Sequence, residues 1–209
     1  AQSDFSGDAE TLISLGSAFL VSFFTGVLVG TIIAYWRGTV LDNVVTTIAS
    51  ITSGIPDYAY AIGIIIIAGV QLQLYSVGDM RGGVDPTLDP GFYPAYILSV
   101  LAHAFLPALT YFLTVSGVWI LLMKSSTIAT LGEDYIKIAK ARGLPERRIL
   151  VNYVGRNSLL PMIARAGISF GYIIGGSVIV ELFFEFPGLV RALLNAVATL
   201  DYTTMLGFF

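Results

Sequence analysis

Three long stretches of this chain contain no Asp, Glu, Lys or Arg, and they restrict its fold more than any other feature. They cover residues 11–36, 58–78 and 90–123. Each exceeds the roughly 20 residues that an α-helix needs to cross about 30 Å of hydrocarbon. A helix satisfies its own backbone hydrogen bonds in lipid, and these stretches lack the alternation of a membrane barrel strand. The sequence therefore predicts an all-α fold, a polytopic transmembrane helical bundle.

The composition agrees with a membrane location. The residues are 56% hydrophobic and 12% charged, and the mean hydropathy is +0.81, which is more apolar surface than a soluble domain of this length can enclose. We expect one transmembrane domain over residues 1–209, with spans at about 12–36, 44–75, 95–123 and 159–184 and the start of another near 203. Because the chain has no initiating Met and stops as another apolar run begins, we expect a fragment that lacks the first helix and most of the last. It contains no cysteine, which excludes disulfides, thiolate metal sites and cysteine nucleophiles.

The distribution of basic residues predicts the orientation in the membrane. Arg37 follows the first span and most other Lys and Arg residues lie in the long connection 124–158, whereas the remaining connections carry only Arg81 and Arg191. The positive-inside rule therefore places residues 37–43 and 124–158 in the cytoplasm. Segments 1–11, 76–94 and 185–203 are then external, and they hold most of the acidic residues: Asp4, Asp8, Glu10, Asp79, Asp85, Asp89, Glu185 and Asp201.

The predicted span at 44–75 is too long for one untilted crossing. The expected break is Ser53-Gly54-Ile55-Pro56, because Pro removes a helix hydrogen bond and Gly loosens the preceding turn. Asp57 follows the break and has two interpretations. It faces a water-filled path, or, as we favour, it is a helix-start carboxylate stabilised by the helix dipole.

Small residues recur every four positions in two predicted helices. For Gly26, Gly30 and Ala34 we favour close helix packing over a role in a substrate path. For the second set we favour packing against a neighbouring helix; its members are Gly167, Gly171 and Gly175.

Two further polar features also have alternative interpretations. Asp85 and Asp89 lie four residues apart in a turn-rich loop, where ordinary turn chemistry is favoured over a Ca²⁺ site because the ligand series of a calcium loop is absent. His103 stands alone in an apolar helix, so a hydrogen-bonded or interfacial histidine is favoured over a metal or catalytic role. The sequence predicts no catalytic residues and no metal site.

Residues 134–161 form a polar, basic segment, DYIKIAKARGLPERRILVNYVGRNSLLP, between two apolar stretches. The first part shows helical spacing that ends at Gly143, a natural left-handed stop. Pro145 and Glu146 then favour the opening of a second helix at about 145–158. The helical face of the first part is defined by Tyr135, Ile138, Ala139 and Arg142.

Two short amphipathic helices at an angle would make a compact knob. A small patch of Ala139, Ala141 and Gly143 would let a groove of another protein approach closely, and flanking charges would fix its orientation. The alternative is a basic helix pair that lies on anionic lipid without a protein partner.

The segment resembles the EAA loop of ABC importer permeases, and specifically the dipeptide/oligopeptide branch. The pattern of that branch resembles DY-(V/I)-(R/K)-x-A-(R/K)-A-(R/K)-G-L followed by R-N-(A/S)-L-(L/I)-P. The resemblance extends to Arg37-Gly38-Thr39-x-x-Asp42, to Ser53-Gly54-Ile55-Pro56 and to the external Glu181-x-x-Phe184-x-x-Pro187-Gly188. It implies a type I importer permease fold and an ATPase-coupling role for Asp134, Tyr135, Ala139, Ala141, Arg142, Gly143, Leu144, Arg156, Asn157 and Pro161.

The resemblance also implies partners and a location. These are a second homologous permease subunit, cytoplasmic ABC ATPase subunits, an extracytoplasmic substrate-binding protein and membrane lipid, in a prokaryotic cell membrane and without cofactor or nucleic acid. The chain lacks a G-x-x-x-x-G-K-(S/T) phosphate loop, so ATP energy would arrive through a partner. The resemblance and the missing phosphate loop thus imply a non-enzymatic permease subunit. Di- or oligopeptides are the cargo that the resemblance favours, but the same branch also serves sugars and nickel, and no residue of this chain discriminates between them. The alternative is an ion-coupled secondary transporter, which would need paired intramembrane ionisable groups.

Overall fold

The structure, a computed structural model, describes residues 2–74, 82–85, 87–88, 91, 93–174, 182–185 and 189–207. Every regular element in these ranges is a helix, which confirms the all-α fold class. Several residues used in the sequence analysis lie outside the described residues: Asp79, Arg81, Asp89, Gly175, Glu181, Pro187 and Gly188.

The described residues as far as Leu131 form four helices. Helix α1 covers Gln2–Tyr35 and α2 covers Val40–Gly54. Helix α3 covers Asp57–Ile64 and continues as π-helix over Ile65–Gln71, and α4 covers Pro94–Leu131. The predicted break at Ser53–Pro56 is confirmed, because Pro56 directly precedes α3.

The second half begins with the predicted knob. Helix α5 covers Asp134–Ala141. The short α6, Glu146–Arg148, passes into a π-helical stretch at Ile149–Gly155, which we call the π segment, and then into α7, Arg156–Ile174. Two further helices follow, α8 at Leu189–Ala198 and α9 at Tyr202–Gly207.

Among the described residues, two helices are long and apolar enough to cross a membrane. They are Leu15–Tyr35 within α1 and Pro94–Leu131, and the pair of α2 with α3 and its π-helical extension would make a third if it forms one bent span. The predicted fourth span, 159–184, is described only as far as Ile174 within α7 and from residue 182 onward.

Several predicted helix bounds differ from the structure. The cytoplasmic turn expected at 37–43 is shorter, because the Thr39 side chain accepts a hydrogen bond from the Asp42 backbone N–H and starts α2 at Val40. The connection expected from residue 124 is also shorter, because α4 continues to Leu131. The sequence predicts that the span ends before Lys124, the first charged residue after the apolar run. Lys124 instead remains in the helix, where it pairs with Asp42.

The chain forms two compact units. The first contains residues 1–19, 56–112 and 170–209, and the second contains Leu20–Ile55 and Leu113–Ser169. Inside the first unit, Phe19 and Phe170 pack edge to face with ring centroids 5.7 Å apart.

Close backbone contacts hold α1, α2 and α4 together in the second unit. A Cβ placed on Gly30 would come within 2.7 Å of the Ile120 carbonyl oxygen and of Met123 Cβ, and Gly26 meets the backbone of Trp119 equally closely. Ala34, the third member of that set, is buried. The packing interpretation of Gly26, Gly30 and Ala34 is therefore confirmed.

Candidate functional site

Helix α5 ends in a motif that reverses the chain sharply. Gly143 has a φ of +70°, its N–H donates to the Lys140 carbonyl at 2.9 Å, and the Leu144 N–H donates to the Ala139 carbonyl at 3.3 Å. These two bonds define a Schellman motif, which favours Gly at this position because residues with a side chain rarely adopt a positive φ. The left-handed stop predicted at Gly143 is confirmed.

A small apolar core fastens α5 to the rest of the second unit. Its buried members are Ile136 and Ala139 on α5 and Ile149 and Val154 on the π segment, with Leu131, Leu144 and Tyr153 packed around them. Burying each of the Ile and Val side chains stabilises by about 1.5–3 kcal/mol. Helix α5 has only eight residues, too few for a stable isolated helix, so this core holds it in place.

Ala139, which the sequence analysis placed in the small patch facing a partner protein, is instead buried. Ile136 and Ala139 face inward, 1% and 3% exposed, whereas Ile138 is 58% exposed and Tyr135 37%. Ala139 therefore packs against the chain's own core, and the outward small surface consists of Ala141 and Gly143, both exposed. Sequence reasoning missed Ile136; its spacing of three from Ala139 was the available signal.

The second part of the predicted knob is not a separate helix. The predicted helix at 145–158 followed by a span from 159 is in fact one continuous helical path from Glu146 to Ile174. The π segment shifts the helical phase without a break, and at its end the Asn157 side-chain amide donates to the Tyr153 carbonyl at 2.7 Å. Pro161 lies inside α7 and does not end it.

The predicted coupling residues fall into three groups by exposure. Ala139 is buried and Leu144 is half-buried. The remaining eight side chains or backbone positions are exposed along α5, its reversal and the start of α7: Asp134, Tyr135, Ala141, Arg142, Gly143, Arg156, Asn157 and Pro161. On α5, Lys137 Nζ lies 2.8 Å from Asp134 Oδ1, an exposed pair that contributes little to stability. The arrangement presents a short helix with a charged, accessible outer face on a firm apolar base.

The other polar features identified in the sequence have local structural roles. The Asp85 carboxylate accepts hydrogen bonds from the Thr87 N–H at 2.9 Å and hydroxyl at 2.7 Å, and these bonds lower the pKa of Asp85. His103 Nδ1 lies 2.8 Å from the Ser99 carbonyl oxygen, the preceding turn of α4. Asp57 begins α3 and is exposed. These contacts fit the favoured turn, hydrogen-bond and helix-start interpretations.

Comparison with known proteins agrees with this architecture. The family model for the binding-protein-dependent transport system inner membrane component matches residues 26–209. The glutathione transport system permease protein GsiC of Escherichia coli K12 is 33% identical over 177 residues, which cover 85% of this chain and 52% of GsiC.

Proteins of the same name give the same picture in two other organisms. Those from Shigella dysenteriae serotype 1 and Salmonella typhi are 33% and 32% identical, with the same coverage. The chain spans about half the length of these curated relatives. The family resemblance of the loop motif is confirmed: the chain belongs to the family of binding-protein-dependent transport system inner membrane components.

Proposed function

We propose that the chain is the membrane-spanning permease subunit of an ATP-driven importer, and that residues 134–161 receive the movement of a separate ATPase. Family membership supports a transport role, and it contradicts the alternative of an ion-coupled secondary transporter. The observation that carries the coupling role is α5 itself, an exposed eight-residue helix held by a buried core. When a groove of a partner protein binds α5 and moves it, the buried core beneath α5 moves with it, because a close-packed core resists deformation.

The proposed partners follow from the same family. ATPase subunits occupy the cytoplasmic side at α5, and an external binding protein delivers the cargo. A second permease subunit packs on α7. A Cβ added at Gly167 or Gly171 would meet no neighbouring atom within 4 Å outside the helix's own backbone, and Ile163 and Ile168 are exposed. Exposed small residues beside apolar ones suit close helix packing in lipid.

The proposed cargo is a small peptide. The relatives reported above are named as glutathione permeases, and the loop motif agrees with the dipeptide/oligopeptide branch. We propose an orientation with residues 37–43 and 124–158 cytoplasmic and segments 1–11, 76–94 and 185–203 external, as the positive-inside rule predicts. No residue of the described part is assigned to cargo binding.

A crosslinking experiment tests the coupling role and uses the absence of cysteine from residues 1–209. Ala141→Cys in the full-length protein carries a photoactivatable thiol crosslinker in native membranes, and mass spectrometry identifies the adduct. Capture of an ATPase with a phosphate loop is expected. Ala198→Cys on α8, also exposed, is the matched control and should capture no ATPase. Capture of lipid alone by the Ala141→Cys variant, with its thiol shown to be reactive, would instead support the surface-helix alternative.

A further inference from the structure

A nearly buried ion pair joins α2 and α4 within the second unit. Asp42 lies in the first turn of α2, and its Oδ1 is 2.6 Å from Lys124 Nζ on α4, with side chains 5% and 17% exposed. Burying an ion pair of this kind costs desolvation free energy. Apolar residues of similar volume in the same positions often stabilise the fold as well or better. Stability alone therefore does not account for its presence.

Further hydrogen bonds fix the geometry of this pair. The Thr46 hydroxyl accepts from Lys124 Nζ at 2.7 Å and donates to Asp42 Oδ1 at 3.1 Å. The other oxygen, Asp42 Oδ2, accepts from the Gly38 N–H at 3.0 Å, and Gly38 has a φ of +83°. Asp42 thus attaches the α1–α2 turn, residues 36–39, directly to α4.

The same part of α4 is hydrogen-bonded to α7, which continues from the π segment that packs against α5. The Ser126 hydroxyl donates to the Ser158 carbonyl at 2.8 Å, and the Ser158 hydroxyl donates to Thr130 Oγ1 at 3.1 Å. Ser158 is fully buried, and Leu131, the last residue of α4, packs against the core beneath α5. Residues 124–131 therefore connect the α1–α2 turn at one end to α5 at the other.

We propose that Asp42 and Lys124 are positioning residues that pass movement of α5 to the α1–α2 turn. The inference rests on the proposed function, because a partner must move α5. A charged pair with shared hydrogen bonds is restricted to one geometry. Apolar side chains in the same positions would make non-directional contacts that do not fix the geometry. The pair therefore makes the turn follow the cytoplasmic half of α4 when α5 is displaced.

Two cysteine reporters test transmission without knowledge of the cargo. Arg37→Cys reports on the α1–α2 turn and Lys137→Cys on α5, both at exposed positions of a chain without cysteine. Each is placed separately in the full-length permease assembled with its ATPase, and thiol-labelling rates are compared between nucleotide-free and ATP/vanadate-treated complexes. With the pair intact, both labelling rates are expected to differ between the nucleotide-free and the ATP/vanadate-treated complexes.

The Asp42→Asn/Lys124→Met double variant separates transmission from stability, because it leaves no unpaired buried charge. Its α5 reporter is expected to respond normally, while the response of its turn reporter is reduced, since the glycine contacts between α1 and α4 remain. Lys124→Arg keeps the charge and should retain the turn response. Glu185→Gln, which removes the partly exposed Arg191 pair, is the control and should change neither reporter.

Each other outcome decides against the inference. A turn reporter whose response is undiminished in the double variant, or which fails to respond with the pair intact while α5 responds, overturns the positioning role alone. Absence of a response in both reporters of the otherwise unchanged protein, with the ATPase bound and active, overturns the proposed function and this inference with it. If the double variant fails to assemble, Thr46→Val removes the shared hydroxyl and must reduce the turn response; an unchanged response overturns the inference.

Discussion

Single glycines determine how closely the helices of the second unit approach one another. Gly26 of α1 lies against Trp119 of α4, whose ring packs edge to face on Phe23 with centroids 5.5 Å apart. A Cβ on Gly26 would come within 2.8 Å of the Trp119 carbonyl carbon, a backbone atom that cannot rotate away. The contact therefore requires glycine at this position for steric reasons and not for a special backbone angle.

Gly26→Ala is expected to lower the thermal stability of the purified protein, because the added methyl group forces α1 and α4 apart. Overpacking of this kind costs about 1–3 kcal/mol. Gly16→Ala in the same helix is the control: its Cβ meets no atom within 4 Å, and the better helix propensity of Ala stabilises by up to about 1 kcal/mol. Equal melting temperatures for the two variants would contradict the packing contact.

The helix ends that could be predicted from the sequence are those determined by residues at the ends themselves. Pro56 and Gly143 act through their own backbone, so the break before α3 and the end of α5 could be located from the sequence. The extension of α4 past Lys124 could not, because the partner that lets the charge stay in the helix, Asp42, is distant in sequence. The outward position of Ala139 was also predicted wrongly, because the residues that bury it, Ile149 and Val154, lie outside α5 and its local helical spacing.

Ile136→Ala is expected to loosen α5, because it removes most of one fully buried side chain from a core of four buried residues. Comparable substitutions cost about 2–5 kcal/mol, and here the loss falls on a helix with little stability of its own. Amide hydrogen exchange of the 134–141 peptide should accelerate strongly. Ile138→Ala lies on the exposed face, where substitutions usually change the free energy of unfolding by no more than about 0.5 kcal/mol. Its exchange rate should therefore change little. Equal acceleration in both variants would place the core elsewhere.

The second unit combines apolar packing, buried polar contacts and an exposed helix in one compact body. Glycine contacts join α1 and α2 to α4, the Asp42–Lys124 pair and the Ser126–Ser158 contact connect their ends, and the Ile136 core adds α5. Because these contacts are contiguous, a force applied at α5 reaches the start of α2 through bonded or packed atoms. In a transporter, such a body suits movement as a unit instead of local bending.

The orientation of the whole molecule gives the last prediction. Most of the Lys and Arg residues that set it lie within 124–158, so Ala141 should face the cytoplasm and Ala198, in the acidic segment 185–203, the exterior. In intact cells, a membrane-impermeant maleimide should label Ala198→Cys and leave Ala141→Cys unmodified until the membrane is permeabilised. Both alanines are exposed, so accessibility within the fold does not favour either one. The reverse labelling pattern would invert the topology and place α5 where no cytoplasmic ATPase can reach it.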